Sequence, residues 1–257
     1  MRMKLNHKIY GSGQPVIIMH GLFGSGDNWR TVAGMLEGQY QCIVVDMRNH
    51  GRSPHDPVMN FKVMTEDVIE LMQDLHLTKV SLLGHSMGGK VAMQFALVNP
   101  DLVDKLIVVD IAPKYYPPHH DTVIEAIEAI VPGQLKERAE AEETFARFLG
   151  KDESTIQFLM KNLSRLPEGG FAWKPNMPVI IEAYNHLIED VVPSQPFRGP
   201  VLFVRGEKSR YIADEDVSHI RELFPNSSLV TIPGAGHWVH ADAPQVFSKT
   251  ILAFLND

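Results

Sequence analysis

The chain has 257 residues, of which 44% are hydrophobic, so it is long enough for one large α/β domain or for such a domain with an insertion. Its net charge of −7 at pH 7 argues against nucleic acid and against an acidic membrane surface as partners. No run approaches the roughly 18 apolar residues that span a membrane, and the first ten residues lack the apolar core of a signal peptide.

Cys42 is the single cysteine, so no disulfide can form within the chain. It lies in the apolar run 41–45, and this position predicts a buried structural thiol and not a nucleophile. A chain without disulfides fits a reducing compartment, and we therefore expect a cytoplasmic protein.

Predicted strands and helices alternate over the first 110 residues. Continuous apolar runs predict buried strands over residues 15–20, 41–45, 79–83 and 104–109. Helices are predicted between them, over residues 28–36, 61–75 and 87–98. This alternation predicts a parallel sheet whose functional groups lie at the carboxyl ends of the strands. The polar residues that follow the predicted strands at those ends are His20, Asp46, Ser86 and Asp110.

The alternation stops after residue 111. Residues 112–196 contain no buried-strand pattern but four helical stretches, which predict a helical cap inserted into the α/β domain. Strands over 200–205 and 228–231 and helices over 213–223 and 243–254 then resume the pattern. The predicted division is therefore an α/β core of residues 1–111 and 197–257 and a cap of residues 112–196.

Residues 84–88 match the pattern G-x-S-x-G between a predicted strand and a predicted helix. This context predicts a nucleophile elbow with Ser86 at its strained apex and with glycines where a Cβ would clash. A serine hydroxyl needs a base within hydrogen-bond reach, and His237, in a glycine-bearing loop after a late strand, is the best candidate. We expect His119 and His120 to be surface groups.

Two carboxylates compete for the role of the acid that orients His237. The turn after strand 200–205 often carries an aspartate in folds of this kind, but Ser209 stands at that position and Glu207 lies nearby. Asp110 ends the strand that follows the elbow helix, and strands adjacent in sequence are usually neighbours in space. We therefore predict Asp110 as the acid, with Glu207 as the alternative.

Five motifs together resemble the YbfF-type bacterial esterases of the α/β-hydrolase superfamily. They are the segments HGLFGS at 20–25, DMRNHGRS at 46–53, GHSMGGK at 84–90, VDIAP at 109–113 and GH at 236–237. The resemblance implies an α/β-hydrolase fold, with a mostly parallel central sheet flanked by helices and a helical cap inserted after the sixth strand. It also implies that the acid comes from the VDIAP segment, which is Asp110 here. In this fold the oxyanion hole is formed by the N–H of the residue after the nucleophile and an N–H of the loop after an early strand, so we expect Met87 and Leu22 to supply the two donors.

The predicted function is that of a serine carboxylic-ester hydrolase that forms an acyl-enzyme on short- to medium-chain acyl esters, with acyl-CoA thioesters as a further substrate class. We expect a small-molecule substrate, no cofactor and no metal site; the oligomeric state stays open. Aromatic residues are the candidate substrate contacts, and they are Phe23, Trp238, Tyr116, Phe145, Phe148, Trp173 and Tyr184. The alternatives are a carbon–carbon bond hydrolase or menaquinone-pathway lyase on the same fold, and a non-catalytic ligand-binding protein.

Overall fold

Nine strands form in residues 2–257, the part of the chain that the computed structural model describes. They are β1 (His7–Tyr10), β2 (Gln14–Met19), β3 (Tyr40–Val45), β4 (Val80–His85), β5 (Val103–Val109), β6 (Leu163–Arg165), β7 (Phe171–Trp173), β8 (Val201–Gly206) and β9 (Ser227–Ile232).

Eleven α-helices lie between these strands in the same residues 2–257. They are α1 (Arg30–Leu36), α2 (Phe61–Asp74), α3 (Met87–Val98), α4 (Asp121–Glu128), α5 (Arg138–Leu149), α6 (Glu153–Met160), α7 (Met177–Glu182), α8 (Tyr184–Leu187), α9 (Asp216–Leu223), α10 (Val239–Asp242) and α11 (Pro244–Asn256). None of the helices within residues 2–257 combines the length and the apolar character that crossing a bilayer requires.

Seven strands form one sheet in the order β1-β3-β2-β4-β5-β8-β9. All neighbouring strands are parallel except β1, which pairs antiparallel with β3. The predicted mostly parallel sheet is confirmed. β1 was not predicted, because its sequence HKIY has no apolar run and its side chains are half-buried or exposed at the edge of the sheet.

Helices cover both faces of the sheet, which explains why the central strands are apolar at consecutive positions. On β2, Ile17 and Met19 pack into the core layer that contains α2 and α3. Val16 and Ile18 point to the opposite face and pack with α1 and α11. The carboxyl ends of the parallel strands therefore stand on a rigid, fully buried base.

The segment between β5 and β8, residues 112–196, is called the insertion below. It contains five helices, α4 to α8, where four helical stretches were predicted, because the last stretch is divided into α7 and α8. It also contains the antiparallel pair β6–β7, which was not predicted. These strands have three residues each and are joined through Gly169 and Gly170 at positive φ, so their periodicity is too short to recognise. The insertion follows the fifth strand in chain order and not a sixth, because only four buried strands and the edge strand β1 precede it in the described residues. The division into core and cap stays a prediction.

Lys90 connects the two ends of the insertion to the core. Its side chain is buried in α3, and its ammonium group donates to the backbone carbonyls of Lys114 and Glu189. Between the same two chain ends, the N–H of Tyr116 donates to the carbonyl of Ile188 at 2.9 Å. The start and the end of the insertion are therefore held beside the helix that follows Ser86.

Candidate active site

Ser86 lies at the junction of β4 and α3 in a backbone conformation that few residues adopt. Its φ is 51° and its ψ is −116°, and its N–H donates to the carbonyl of Val109 at 3.0 Å. A Cβ at Gly84 would stand 2.1 Å from the carbonyl oxygen of Gly88, and one at Gly88 would stand 2.5 Å from that of Met19. The turn therefore requires both glycines and presents Ser86 at its apex.

His237 and Asp110 meet across the carboxyl edge of the sheet. Asp110 follows β5, His237 follows β9, and His237 Nδ1 lies 2.7 Å from Asp110 Oδ2. The Asp110 carboxylate is fully buried and accepts two more hydrogen bonds, from the hydroxyl of Ser209 to Oδ2 and from the N–H of Gly206 to Oδ1 at 3.1 Å. Glu207 turns away and accepts the N–H of Gly234 at 2.7 Å. Of the two candidate acids, Asp110 is the one that contacts His237.

Burial shifts the pKa values of the His237–Asp110 pair in opposite directions. It lowers the pKa of His237 below 6.5, so the imidazole is neutral at neutral pH. It raises the pKa of Asp110, while the hydrogen bonds from Ser209 and Gly206 act against that rise. Because the Asp110 carboxylate only accepts, the proton of the imidazole resides on Nδ1, which leaves Nε2 as a proton acceptor.

Two aromatic side chains surround the His237 ring. Tyr211 stacks on it with a centroid distance of 3.9 Å and an interplanar angle of 21°, and Tyr211 also borders the pocket beside Ser86. The His85 ring lies 4.6 Å from the His237 ring, and His85 Nε2 lies 2.9 Å from the His237 carbonyl oxygen. Within residues 2–257 no hydrogen bond joins Ser86 Oγ to His237 Nε2. Catalytic hydrogen bonds are often long in enzymes without substrate and tighten in the complex.

The orientation of the Gly21–Leu22 peptide, in the loop after β2, is fixed by two hydrogen bonds. The Gly21 carbonyl accepts from His20 Nδ1 at 2.8 Å and from the N–H of Gly24 at 3.0 Å. In a trans peptide the N–H points opposite to the carbonyl, so these two bonds also set the direction of the Leu22 N–H. A Cβ at Gly21 would stand 3.2 Å from the Cβ of Ser86, so the loop passes directly over the candidate nucleophile.

The N–H groups of Leu22 and Met87 have no acceptor within the described residues. Met87 is the first residue of α3, where the N–H groups lack partners inside the helix and form the positive end of its dipole. Both residues border the same pocket as Ser86. Two unpaired donors beside a serine hydroxyl form a site that can accept a developing negative charge on oxygen.

A protein-family profile described as "alpha/beta hydrolase fold" matches residues 14–244. The chain belongs to the α/β-hydrolase family. It is 36% identical to Esterase YbfF of Escherichia coli (strain K12), over 96% of this chain and 94% of that protein. It is 39% identical to sn-1-specific diacylglycerol lipase ABHD11 of Danio rerio, over 95% of this chain and 79% of that protein. The solved structure of a marine microorganism esterase is 42% identical with a TM-score of 0.96, covering 98% of this chain and 99% of that one. The predicted fold, the hydrolase class and the resemblance to YbfF-type esterases are confirmed.

A narrow pocket of this hydrolase lies between Ser86 and the insertion. Its volume is about 30 Å³, the space of roughly two water molecules. Of the seven aromatic candidates from the sequence, Tyr116 and Tyr184 border it. The complete lining is Leu22, Ser86, Met87, Lys90, Ile111, Tyr116, His119, His120, Tyr184, Leu187, Ile188 and Tyr211.

The other five aromatic candidates lie outside this lining. Phe145 is fully buried and packs against Trp173 at a centroid distance of 6.3 Å, so both belong to the packing of the insertion. Phe148 is 39% exposed on α5. Trp238 packs against Phe158 of α6 at 5.3 Å. Phe23 is buried, and its backbone N–H donates to His50 Nε2 at 3.2 Å.

Sequence reasoning missed several residues of the hydrolase site. His119 is exposed, as expected, and His120 is half-buried, but both border the pocket: their N–H groups donate to the Tyr184 hydroxyl, and His119 Nε2 lies 2.7 Å from the Tyr211 hydroxyl. Ser209, noted only as a missing aspartate, donates to Asp110. The role of Ser209 could have been inferred from its place at the position where an acid was expected. Nothing in the sequence pattern singles out Tyr211.

Proposed function

We propose that this hydrolase cleaves short- to medium-chain carboxylic esters through an acyl-enzyme on Ser86. The observation that carries the proposal is the His237 Nδ1–Asp110 Oδ2 contact of 2.7 Å beside Ser86, where the N–H groups of Met87 and Leu22 have no acceptor in residues 2–257. Family membership and the esterase names of the relatives support it further. At the level of a serine ester hydrolase the prediction from sequence is confirmed.

In the first step Ser86 Oγ attacks the ester carbonyl carbon, and its proton passes to His237 Nε2. Asp110 stabilises the imidazolium that forms, through the hydrogen bond to Nδ1. The carbonyl oxygen becomes an oxyanion and accepts the N–H groups of Leu22 and Met87. Each donor stabilises the transition state by about 3 kcal/mol.

The tetrahedral intermediate then loses its alcohol. The bond between the carbonyl carbon and the alkoxy oxygen breaks, the alcohol takes the proton from His237, and the acyl group stays on Ser86 as an ester. A water molecule next attacks the acyl-enzyme and gives a proton to His237 Nε2. Return of that proton to Ser86 releases the carboxylic acid and restores the resting enzyme. A thioester follows the same steps with a thiol as the leaving group.

The acyl preference follows from the size of the pocket. A volume of about 30 Å³ accommodates a small acyl group, and a longer chain must displace the wall formed by Tyr184 and Leu187 of the insertion. The pocket as it stands therefore supports short chains, and the medium chains of the proposal require this wall to move. The single thiol of the chain, Cys42, is buried, and burial raises its pKa to about 12. A chain with one cysteine can form no internal disulfide, which fits a reducing compartment, and a cytoplasmic location is part of the proposal.

The test is hydrolysis of p-nitrophenyl esters from acetate to dodecanoate, with acyl-CoA thioesters in a parallel series. Ser86→Ala is expected to lose more than about 10⁴-fold in kcat, whereas Ser218→Ala, at an exposed serine of α9, keeps wild-type rates. Intact-mass measurement on a slowly deacylating substrate should show one acyl group, absent from Ser86→Ala. Activity that survives in Ser86→Ala, or a wild type that cleaves neither series, would refute the proposal and favour the carbon–carbon or ligand-binding alternatives.

A further inference from the structure

The loop that carries Leu22 is held from the insertion as well as from the core. Phe23 has a φ of 58°, in the left-handed region. Its N–H donates to His50 Nε2 at 3.2 Å, and its carbonyl accepts from Asn162 Nδ2 at 2.7 Å. Asn162 belongs to the insertion, 139 positions away in sequence, and is only 4% exposed. A left-handed phenylalanine is costly and persists only where its surroundings fix it.

Asn162 itself stands on a rigid support. It lies between α6 and β6, where its N–H donates to the carbonyl of Leu159 at 3.0 Å. Its own carbonyl accepts the N–H of Lys174, which follows β7, at 2.9 Å. The backbone of Asn162 is therefore tied to the helix before it and to the far side of the hairpin. Because the backbone of Asn162 is fixed, its side-chain amide can hold the Phe23 carbonyl in place.

Two peptide units link the Asn162 amide to the oxyanion hole. The Phe23 carbonyl belongs to the same peptide as the Gly24 N–H, and that N–H donates to the Gly21 carbonyl at 3.0 Å. The Gly21 carbonyl belongs in turn to the same peptide as the Leu22 N–H. Because each peptide is planar and trans, fixing its carbonyl fixes the direction of its N–H. A rotation of the Phe23–Gly24 peptide would remove one of the two bonds that aim the Leu22 N–H.

We propose that Asn162 is a positioning residue for the oxyanion hole: from the insertion, it holds the Phe23 carbonyl so that the Leu22 N–H points at the developing oxyanion. This inference rests on the proposed function. If Asn162 has this role, stabilisation of the transition state requires the β6–β7 hairpin to be packed against the core as it is in this structure. Substrate binding in the ground state does not depend on it, because Asn162 does not border the pocket.

The test compares two Asn162 variants with a matched control. Asn162→Ala removes the amide, and Asn162→Leu removes it while keeping a side chain of similar size. Asn176→Ala is the control, since Asn176 Nδ2 also reaches from the insertion to a core loop, 3.3 Å from Asn49 Oδ1, without contacting Phe23. The measurements are kcat and KM on p-nitrophenyl acetate and the Ki of a small trifluoromethyl ketone, which adds to a serine and places an oxyanion in the hole.

Both Asn162 variants are expected to lower kcat about tenfold. Complete removal of one oxyanion-hole donor lowers kcat about 10²–10³-fold, and a donor that points in the wrong direction loses part of that effect. KM should change less than about twofold, and the Ki should rise by the same factor as kcat/KM falls. Asn176→Ala should keep all three values. Unchanged kcat and Ki in the Asn162 variants, or an equal loss in Asn176→Ala, would overturn the proposal. A wild type inactive on every ester would instead defeat the proposed function, and ketone binding at Ser86 would still test Asn162.

Discussion

Asp110→Asn is expected to abolish catalysis while leaving the fold intact, for a reason that can be read from its hydrogen bonds. The Gly206 N–H donates to Oδ1, so the amide oxygen of the substituted residue takes that position and the amide nitrogen takes the position of Oδ2. That nitrogen then faces His237 Nδ1 as a donor, at the present distance of 2.7 Å. Nδ1 must accept, the ring proton moves to Nε2, and the base can no longer take the proton of Ser86. A wrong tautomer costs about 10⁴ in kcat, or about 5 kcal/mol.

The assay is kcat on p-nitrophenyl acetate for the wild type, Asp110→Asn and Glu207→Gln. Glu207→Gln is the matched control, because Glu207 Oε2 accepts the Gly234 N–H and an amide oxygen can do the same. It should keep kcat within about threefold, the change expected for a surface hydrogen bond. Thermal unfolding midpoints must be similar in all three proteins. If Asp110→Asn retains more than about a tenth of the activity, or Glu207→Gln is the inactive variant, the assignment of the acid is refuted.

Three further predictions concern pH and the pocket. Because burial lowers the pKa of His237, its imidazole is protonated only at a pH below 6.5, and kcat/KM should fall on acidification with a midpoint below pH 6.5. A midpoint at or above pH 6.5 would contradict this prediction. Burial also lowers the pKa of His50 to about 3, so on acidification His50 takes up a proton in the unfolded state before it does so in the folded state. The contribution of neutral His50 to the free energy of unfolding is therefore fully present above pH 6.5 and is lost as the pH falls below it. Urea unfolding at pH 7 and pH 5 should show a loss of about 2 kcal/mol from this group, absent in His50→Gln. Tyr184→Ala and Leu187→Ala should shift the kcat/KM optimum towards longer acyl chains, and an unchanged optimum would exclude this wall as the determinant.

The sheet could be predicted from sequence because its strands are buried on both faces. Runs such as Val16 to Met19 have apolar side chains on each side, and a parallel sheet covered by helices is the structure that requires this pattern. The elbow was recognisable for a steric reason, since Gly84 and Gly88 stand where any Cβ would overlap the backbone. Asp110 followed from the neighbourhood of β4 and β5 in the sheet.

The rest of the site depends on contacts between residues far apart in sequence, for which local pattern carries no signal. Tyr211 is an ordinary loop residue until the fold stacks it on His237. Asn162 lies in the short link between α6 and β6, and only the docking of the insertion places its amide on the Phe23 carbonyl. The aromatic residues of the insertion were candidates by composition alone. Packing turned Phe145 inward and left Phe148 exposed to solvent.

Unusual backbone conformations gather at this site. Phe23, Ser86 and Asp110 have φ values of 58°, 51° and 53°, three of the five non-glycine residues with positive φ in the described chain. Each such residue costs on the order of 1–3 kcal/mol, so the surroundings must hold it in place. The supports are backbone bonds to buried strands for two of them, Ser86 N–H to the Val109 carbonyl at 3.0 Å and Asp110 N–H to the Val204 carbonyl at 2.8 Å.

Phe23 differs from these two because its supports are side chains, His50 from the core and Asn162 from the insertion. A residue fixed by strands of the sheet cannot relax without disrupting the core, whereas one fixed by two side chains can relax when either moves. The proposed nucleophile and the proposed acid are therefore fixed by strands of the sheet, whereas the loop that carries Leu22 is a strained element whose geometry depends on how the insertion is seated. Homologues with altered insertions should accordingly differ in kcat while Ser86 and Asp110 keep the same positions.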